Sequence, residues 1–313
     1  MLSFILRRLL QAIPILFGVS VMVFLMVQMI PGSPLDLLLP PDASPQLIEQ
    51  MKEAYGFDKP AWQQYLLWLW QLLHGNLGYS IFNGAPVADE LFDALGNTFV
   101  LAIPAAFTGF GLGILLGVSA ALSQGGPLDK LLSAIAITGV SLPHYWFAIV
   151  MVVIFSVNLN WLPAQGMQFT GVPTTLAGFK SMILPVITLS LIPMGVVARV
   201  VRAAVLEVMS QEFVNTLHAK GLWDRSVLLH VMKNAAPATL AVMGLQFGYL
   251  LGGSILVETV FNWPGSGNLL NLAIFRRDIP VMQATIIVLA AFFVLLNLIV
   301  DIAQALIDPR IRR

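Results

Sequence analysis

The sequence predicts an all-α integral membrane protein with six transmembrane helices and both termini on the cytoplasmic side. Three observations carry that prediction. Of the 313 residues, 58% are hydrophobic and only 10% are charged, against roughly 25% charged in an average soluble domain. Six apolar stretches are long enough to cross a bilayer. The lysines and arginines gather on one side of those stretches.

A helix needs about 20 apolar residues to cross roughly 30 Å of hydrocarbon. The qualifying stretches are Leu9 to Ile30, Phe99 to Ser123, Leu131 to Val157, Ser181 to Val205, Ala236 to Val260 and Gln283 to Ile307. The first follows Arg7 and Arg8 and could be mistaken for a signal peptide. It is long for one, and Met29-Ile30-Pro31-Gly32 is a poor cleavage site, so it reads as a retained span. Eleven of the basic residues (Arg7, Arg8, Lys130, Arg199, Arg202, Lys220, Arg225, Lys233, Arg310, Arg312 and Arg313) fall on the side with the shorter loops. Five (Lys52, Lys59, Lys180, Arg276 and Arg277) fall on the other. The positive-inside rule makes the first side cytoplasmic. The chain then divides into an N-terminal tail with the first span (1–30), an external segment (31–98), a five-helix core (99–307) with a cytoplasmic loop (206–235), and a tail (308–313).

The net charge is zero, 16 basic against 16 acidic residues, and there is no cysteine. No nucleic-acid partner is expected, since one would require a basic excess. Disulfides, thiol nucleophiles and zinc–thiolate sites are excluded. The four histidines, His74, His144, His218 and His230, lack the close spacing of a metal site.

The external segment carries eight acidic residues and a Trp-rich piece, Trp62 to Leu73, with Trp62, Tyr65, Leu66, Leu69 and Leu73 at helical spacing. Two readings stand: a helix in the membrane interface, which tryptophan favours, and a packed cap on the external face. In the second span Gly109, Gly113 and Gly117 recur every fourth residue, with Gly111 between, a pattern that lets helix backbones approach closely in lipid. Pro14, Pro104, Pro143, Pro185 and Pro193 lie inside spans, where each removes a backbone donor and favours a kink.

Gly265-Ser266-Gly267 could suggest a serine nucleophile, but no histidine is placed to act as its base, and a tight turn is expected. Glu258 and Asp301 are carboxylates within or at the edge of spans. A charge near the bilayer centre costs roughly 2.5–3.5 kcal/mol on insertion scales, so structural pairing is expected for both; a proton relay is the competing reading and would call for further intramembrane carboxylates or histidines along a path. In the cytoplasmic segment, Gln211 to Leu222 reads as a short helix broken at Gly221, followed by a second helix that re-enters the membrane near Pro237. Such a protruding element could fit a groove on a soluble partner; a lipid-skimming loop is the competing reading. No GxxxxGK[ST] occurs, so the chain has no P-loop.

These residues resemble the permease subunits of ATP-binding-cassette importers of the dipeptide/oligopeptide type. The resemblance rests on Arg7-Arg8, Ile30-Pro31-Gly32-Ser33-Pro34, Tyr55-Gly56-Phe57-Asp58-Lys59-Pro60, Gly75-Asn76-Leu77-Gly78-Tyr79-Ser80 and Pro86-Val87. It continues through Ser141-Leu142-Pro143, Ile183-Leu184-Pro185, Glu258-Thr259-Val260-Phe261, Trp263-Pro264-Gly265, Arg277-Asp278-Ile279-Pro280 and Asp308-Pro309-Arg310. The family's cytoplasmic Glu-Ala-Ala-x-x-x-Gly motif aligns on Gly221. Its first positions here are Asn215, Thr216 and Leu217, so no carboxylate stands at 215.

The resemblance implies a type I importer permease fold in a bacterial inner membrane. It implies a partner permease, usually a different chain, two ATP-binding cassette subunits, an external substrate-binding protein and the surrounding lipid. The chain would carry no cofactor, ATP and Mg being held by the cassette subunits. Coupling to them would fall to Glu212, Phe213, Thr216, Ala219, Lys220, Gly221 and Leu222. Di- and oligopeptides are the implied substrates; relatives resemble importers of nickel complexes, glutathione, opines and sugars. An intramembrane enzyme would need a nucleophile–base pair or a metal cluster inside the spans, and none is found; a self-contained channel or ion-driven transporter would predict symmetric homo-oligomers or internal repeats and more intramembrane charge, and no convincing repeat links the two halves.

Overall fold

The structure is a computed structural model and describes residues 2–29, 44 and 58–307. Parts of the quoted resemblance, Ile30 to Pro34, Tyr55 to Phe57 and the tail from Asp308, lie outside the described residues. The described elements are helices: α1 (Leu2–Gln28), α2 (Ala61–Leu73), α3 (Val87–Leu122), α4 (Pro127–Ser141), α5 (His144–Met151), α6 (Leu176–Met209), α7 (Glu212–Ala219), α8 (Asp224–Val260), α9 (Ser266–Arg276) and α10 (Ile279–Ile307). Five of them, α1, α3, α6, α8 and α10, are long and apolar enough to cross a membrane.

The core is the pair α3–α6. Gly109, Gly113 and Gly117 lie against Ser190, Met194 and Ala198 in turn, so each step of four on α3 is matched by a step of four on α6. The two helices therefore run parallel and in register for three turns. A Cβ on Gly113 would sit 2.8 Å from the Met194 carbonyl oxygen and 2.9 Å from the Val197 Cβ. Only glycine permits that separation. Gly111, on the far side of the helix, has nothing within 4 Å. Two buried clusters line this pair. One gathers Leu101, Ala105, Leu184, Leu189, Leu250 and Trp263. The other gathers Val197, Val201, Val205, Val214, Val227 and Val231.

The third expected span, Leu131 to Val157, is not one rod. It is the pair α4 and α5, bent by 99° at Leu142-Pro143. Proline disfavours the α conformation at the residue before it, and Leu142 is extended (φ −75°, ψ 128°). Beyond Met151 the helix widens into a π-helical stretch, Val152–Asn158. Counted as one broken span, the two pieces bring the candidate spans to six.

Helix α8 joins two expected elements. The second helix expected after Gly221, re-entering the membrane near Pro237, and the fifth span are one uninterrupted helix of 37 residues that continues through Pro237. At 1.5 Å per residue it is about 55 Å long, well beyond the roughly 30 Å of hydrocarbon. Its first turns therefore stand outside the membrane, beside α7. Helix α3 similarly begins at Val87, twelve residues before the apolar stretch starts at Phe99. Gly244 and Gly248 of α8 lie against Val300 and Phe293 of α10, an antiparallel pairing.

Candidate coupling element and intramembrane polar sites

Helix α7 is closed by a turn that only a left-handed residue can make. Gly221 has φ +74°. Its N–H donates to the His218 carbonyl (2.9 Å), and the Leu222 N–H donates to the Leu217 carbonyl (3.2 Å). This is the Schellman arrangement, with Gly221 as the left-handed residue and Leu217 and Leu222 as its apolar pair. Nothing lies within 4 Å of a Cβ at Gly221. The demand for glycine here is conformational, not steric.

The inner face of α7 is anchored. Val214 is 5% exposed and packs with Val201, Val205 and Val208 of α6 and Val227 and Val231 of α8. Among the residues singled out from sequence, Phe213 and Leu222 are half-buried against this cluster, while Glu212, Thr216, Ala219, Lys220 and Gly221 are exposed. The element is thus a rigid knob with a polar outer surface, fastened to the ends of two spans. Sequence reasoning missed Trp223, which is 83% exposed immediately beyond the turn. A large aromatic at the tip of a polar loop was the available signal.

Glu258 closes a second site at the opposite end of α8. Its side chain is fully buried. The Thr98 hydroxyl donates to Oε1 (2.8 Å), and the Gly267 and Asn268 N–H groups donate to Oε2 (2.8 and 3.1 Å). The carboxylate of α8 therefore caps the N-terminus of α9, where free N–H groups and the helix dipole favour negative charge. Gly265 and Gly267 leave the space: a Cβ on Gly267 would lie 2.9 Å from Glu258 Oε2, and one on Gly265 would overlap the carboxylate. Ser266 is buried and bonded to Thr98 through its N–H (2.8 Å) and its hydroxyl (2.9 Å). It is a structural member of a turn. Trp263 seals the site, donating from Nε1 to the Asn97 carbonyl (2.9 Å).

Asp301 pairs with Arg8 across α10 and α1 at 3.2 Å. A pair not singled out from sequence is more enclosed. Asp129, in the first turn of α4, accepts from Arg202 Nε and Nη2 of α6, both at 2.7 Å, and from the Gly125 N–H at 2.9 Å. With Ala136 against Gly195 and Gly139 against Leu191, it pins α4 antiparallel along α6. On the far face, Asp278 accepts from the Ser80 hydroxyl and from the N–H groups of Ile81 (3.1 Å) and Phe82 (3.3 Å), holding the loop before α3 to the α9–α10 turn.

Comparison with known proteins places these features in a wider group. The sequence profile described as "Binding-protein-dependent transport system inner membrane component" matches residues 113–313. A companion N-terminal profile, described as "Binding-prot-dependent transport system membrane comp, N-term", matches residues 1–102. The dipeptide transport system permease protein DppB of Alkalihalophilus pseudofirmus is 40% identical over the whole of both chains. The glutathione transport system permease protein GsiC of Escherichia coli K12 is 39% identical, covering 100% of this chain and 99% of its own. Among solved structures, the MetNI methionine ABC transporter aligns with a TM-score of 0.60 at 18% identity, covering 71% of this chain and 98% of that one. That last likeness is one of fold.

Proposed function

We propose that this chain, which belongs to the family of binding-protein-dependent transport system inner membrane components, forms half of the translocation path of an ATP-driven importer of di- and oligopeptides. A second permease chain supplies the other half, and an external binding protein delivers the substrate. Two ATP-binding subunits, which hold ATP and Mg, supply the energy. The observation that carries the reading is the knob formed by α7, Gly221 and the first turn of α8. It is exposed on its outer side and welded on its inner side to α6 and α8.

A surface of that build can be pushed without deforming. Glu212, Thr216, Ala219, Lys220 and Gly221 meet the ATP-binding subunit, while Phe213 and Leu222 hold the knob to its base. A cassette that binds the knob differently in its ATP-bound and nucleotide-free states shifts the balance between the two access states of the path. It does so only through that difference in affinity. The force reaches α6 and α8 directly, because Val214 shares their core. It reaches α4 through Arg202 and Asp129.

The peptide assignment rests on two relatives whose names specify a dipeptide and glutathione, itself a tripeptide. Deleting the gene for this chain and measuring accumulation of a labelled dipeptide tests it. Loss of uptake, restored by the gene in trans, supports the assignment. Undiminished uptake of di- and tripeptides, with loss of some other solute, overturns it. Mass spectrometry of the chain purified in mild detergent tests the assembly: a second permease and P-loop ATPases are expected, and a homo-oligomer of this chain alone refutes it.

A further inference from the structure

Helix α2 stands apart from the packed core. None of its side chains is buried. It meets the last turns of α1: the Tyr65 hydroxyl is 2.9 Å from that of Ser20, Gln64 accepts from Gln28 at 3.1 Å, and the rings of Tyr65 and Trp68 lie 5.4 and 6.1 Å from that of Phe24. Its sequence, AWQQYLLWLWQLL, contains no charged residue. At 100° per residue, Trp62, Leu66, Trp70 and Leu73 fall within about 80° of arc, next to the side that meets α1. These four side chains are 62%, 53%, 63% and 74% exposed. Gln63, Gln64 and Gln71 lie between about 100° and 200° from Trp62 on the same scale, with Leu67, 46% exposed, among them.

We infer that this stripe is seated on lipid acyl chains, and that α2 is a monotopic helix lying in the leaflet opposite the α7 knob. Two features identify the occupant as lipid. The first is continuity. The stripe lies at the outer end of an exposed apolar side of α1 (Leu10, Ile13 and Phe17, all more than half exposed and on the same side as Ser20 and Phe24 at 100° per residue), and α1 is itself long and apolar enough to cross the membrane. The second is depth. Ser20 lies eight residues before the end of α1 at Gln28, about 12 Å along the axis, so Tyr65 reaches well below the level where the span emerges. With 13 residues, α2 is about 20 Å long, too short to cross. It lies along the membrane with its glutamine sector toward water and its tryptophans at the boundary, where their amphipathic rings are favoured.

Because the chain has no cysteine, an introduced cysteine is its single labelling site, and the cysteine-free parent carried through the same preparation gives the background from the other subunits. Leu66→Cys, Trp70→Cys and Gln71→Cys are made in the full-length chain, purified with its co-purifying subunits and reconstituted in phosphatidylethanolamine–phosphatidylglycerol bilayers. The expected result is oxygen collision rates several-fold higher, and nickel-chelate rates several-fold lower, at positions 66 and 70 than at 71. Nickel access at 66 and 70 equal to that at 71 would place the stripe in water. Protection of both from oxygen and nickel alike would place it under protein. Either result overturns the inference, and retained uptake by the labelled variants confirms that they are folded.

Discussion

Replacing Gly117 by alanine adds one methyl group at the tightest point between α3 and α6. Its carbon would stand 2.5 Å from the Ala198 carbonyl oxygen and 2.8 Å from the Val201 Cβ. Ordinary contact begins at 3.4 Å, so α6 must retreat by 3.4 − 2.5 = 0.9 Å. The obstructing oxygen belongs to backbone and cannot rotate away. Because Gly113 and Gly109 sit on the same seam, a retreat at one turn loosens the next two. Overpacking of this kind costs about 1–3 kcal/mol. In lipid no hydrophobic drive between helices compensates for lost packing. The control is in the same helix: Gly111→Ala meets nothing within 4 Å and gains the helix propensity of alanine, roughly 1 kcal/mol. Thermal unfolding of the purified chain in detergent, followed by tryptophan fluorescence, should give a lower midpoint for Gly117→Ala and an unchanged or higher one for Gly111→Ala. Equal midpoints would refute the claim that the glycines act through helix contact.

Three further outcomes are expected. At Gly221, where φ is +74° and space is open, uptake should fall in the order Gly, Asn, Ala, Val, because asparagine tolerates the left-handed region and a β-branched residue does not; immunoblots should find Gly221→Val in the membrane at normal levels, and normal transport by it would remove the coupling role. Glu258→Ala leaves the Gly267 and Asn268 N–H groups without their acceptor, at about 1–3 kcal/mol for each buried group, while the Thr98 hydroxyl keeps the Ala94 carbonyl; a variant as heat-stable as the parent would show that the carboxylate does not hold α9 in place. Asp129→Arg and Arg202→Asp, which break the pair, should each abolish uptake, and the double exchange should restore part of it; normal transport by each single variant would mean that the pair is dispensable.

The membrane class and the number of apolar spans were legible because burial in lipid is read one residue at a time. Hydropathy sums along the chain, and a stretch either reaches about 20 residues or does not. The glycine spacing in α3 and the break at Gly221 were legible for a related reason: each is a local pattern whose period or backbone conformation requires glycine. The bend at Leu142-Pro143 was half legible. Proline announces a disturbance, but the same residue at Pro185, Pro193 and Pro237 lies within continuous helices. The difference is what packs around each, which no local window contains.

Long-range partners were not legible at all. Nothing near Asp129 in sequence points to Arg202, 73 residues away, nor anything near Glu258 to Thr98, 160 residues away. A carboxylate inside a span announces only that it needs a partner; helix packing chooses which one. Here the choice made Glu258 a cap for the neighbouring helix and Gly265-Ser266-Gly267 the space that admits it. Sequence by itself determined that this chain lives in a membrane and carries a protruding turn, because solvation and backbone strain are properties of single residues and their neighbours. Only the tertiary structure decided that the turn is rigidly joined to α6 and α8, and that α2 rests on α1 with an apolar stripe uncovered, because contact between distant segments is a property of the fold.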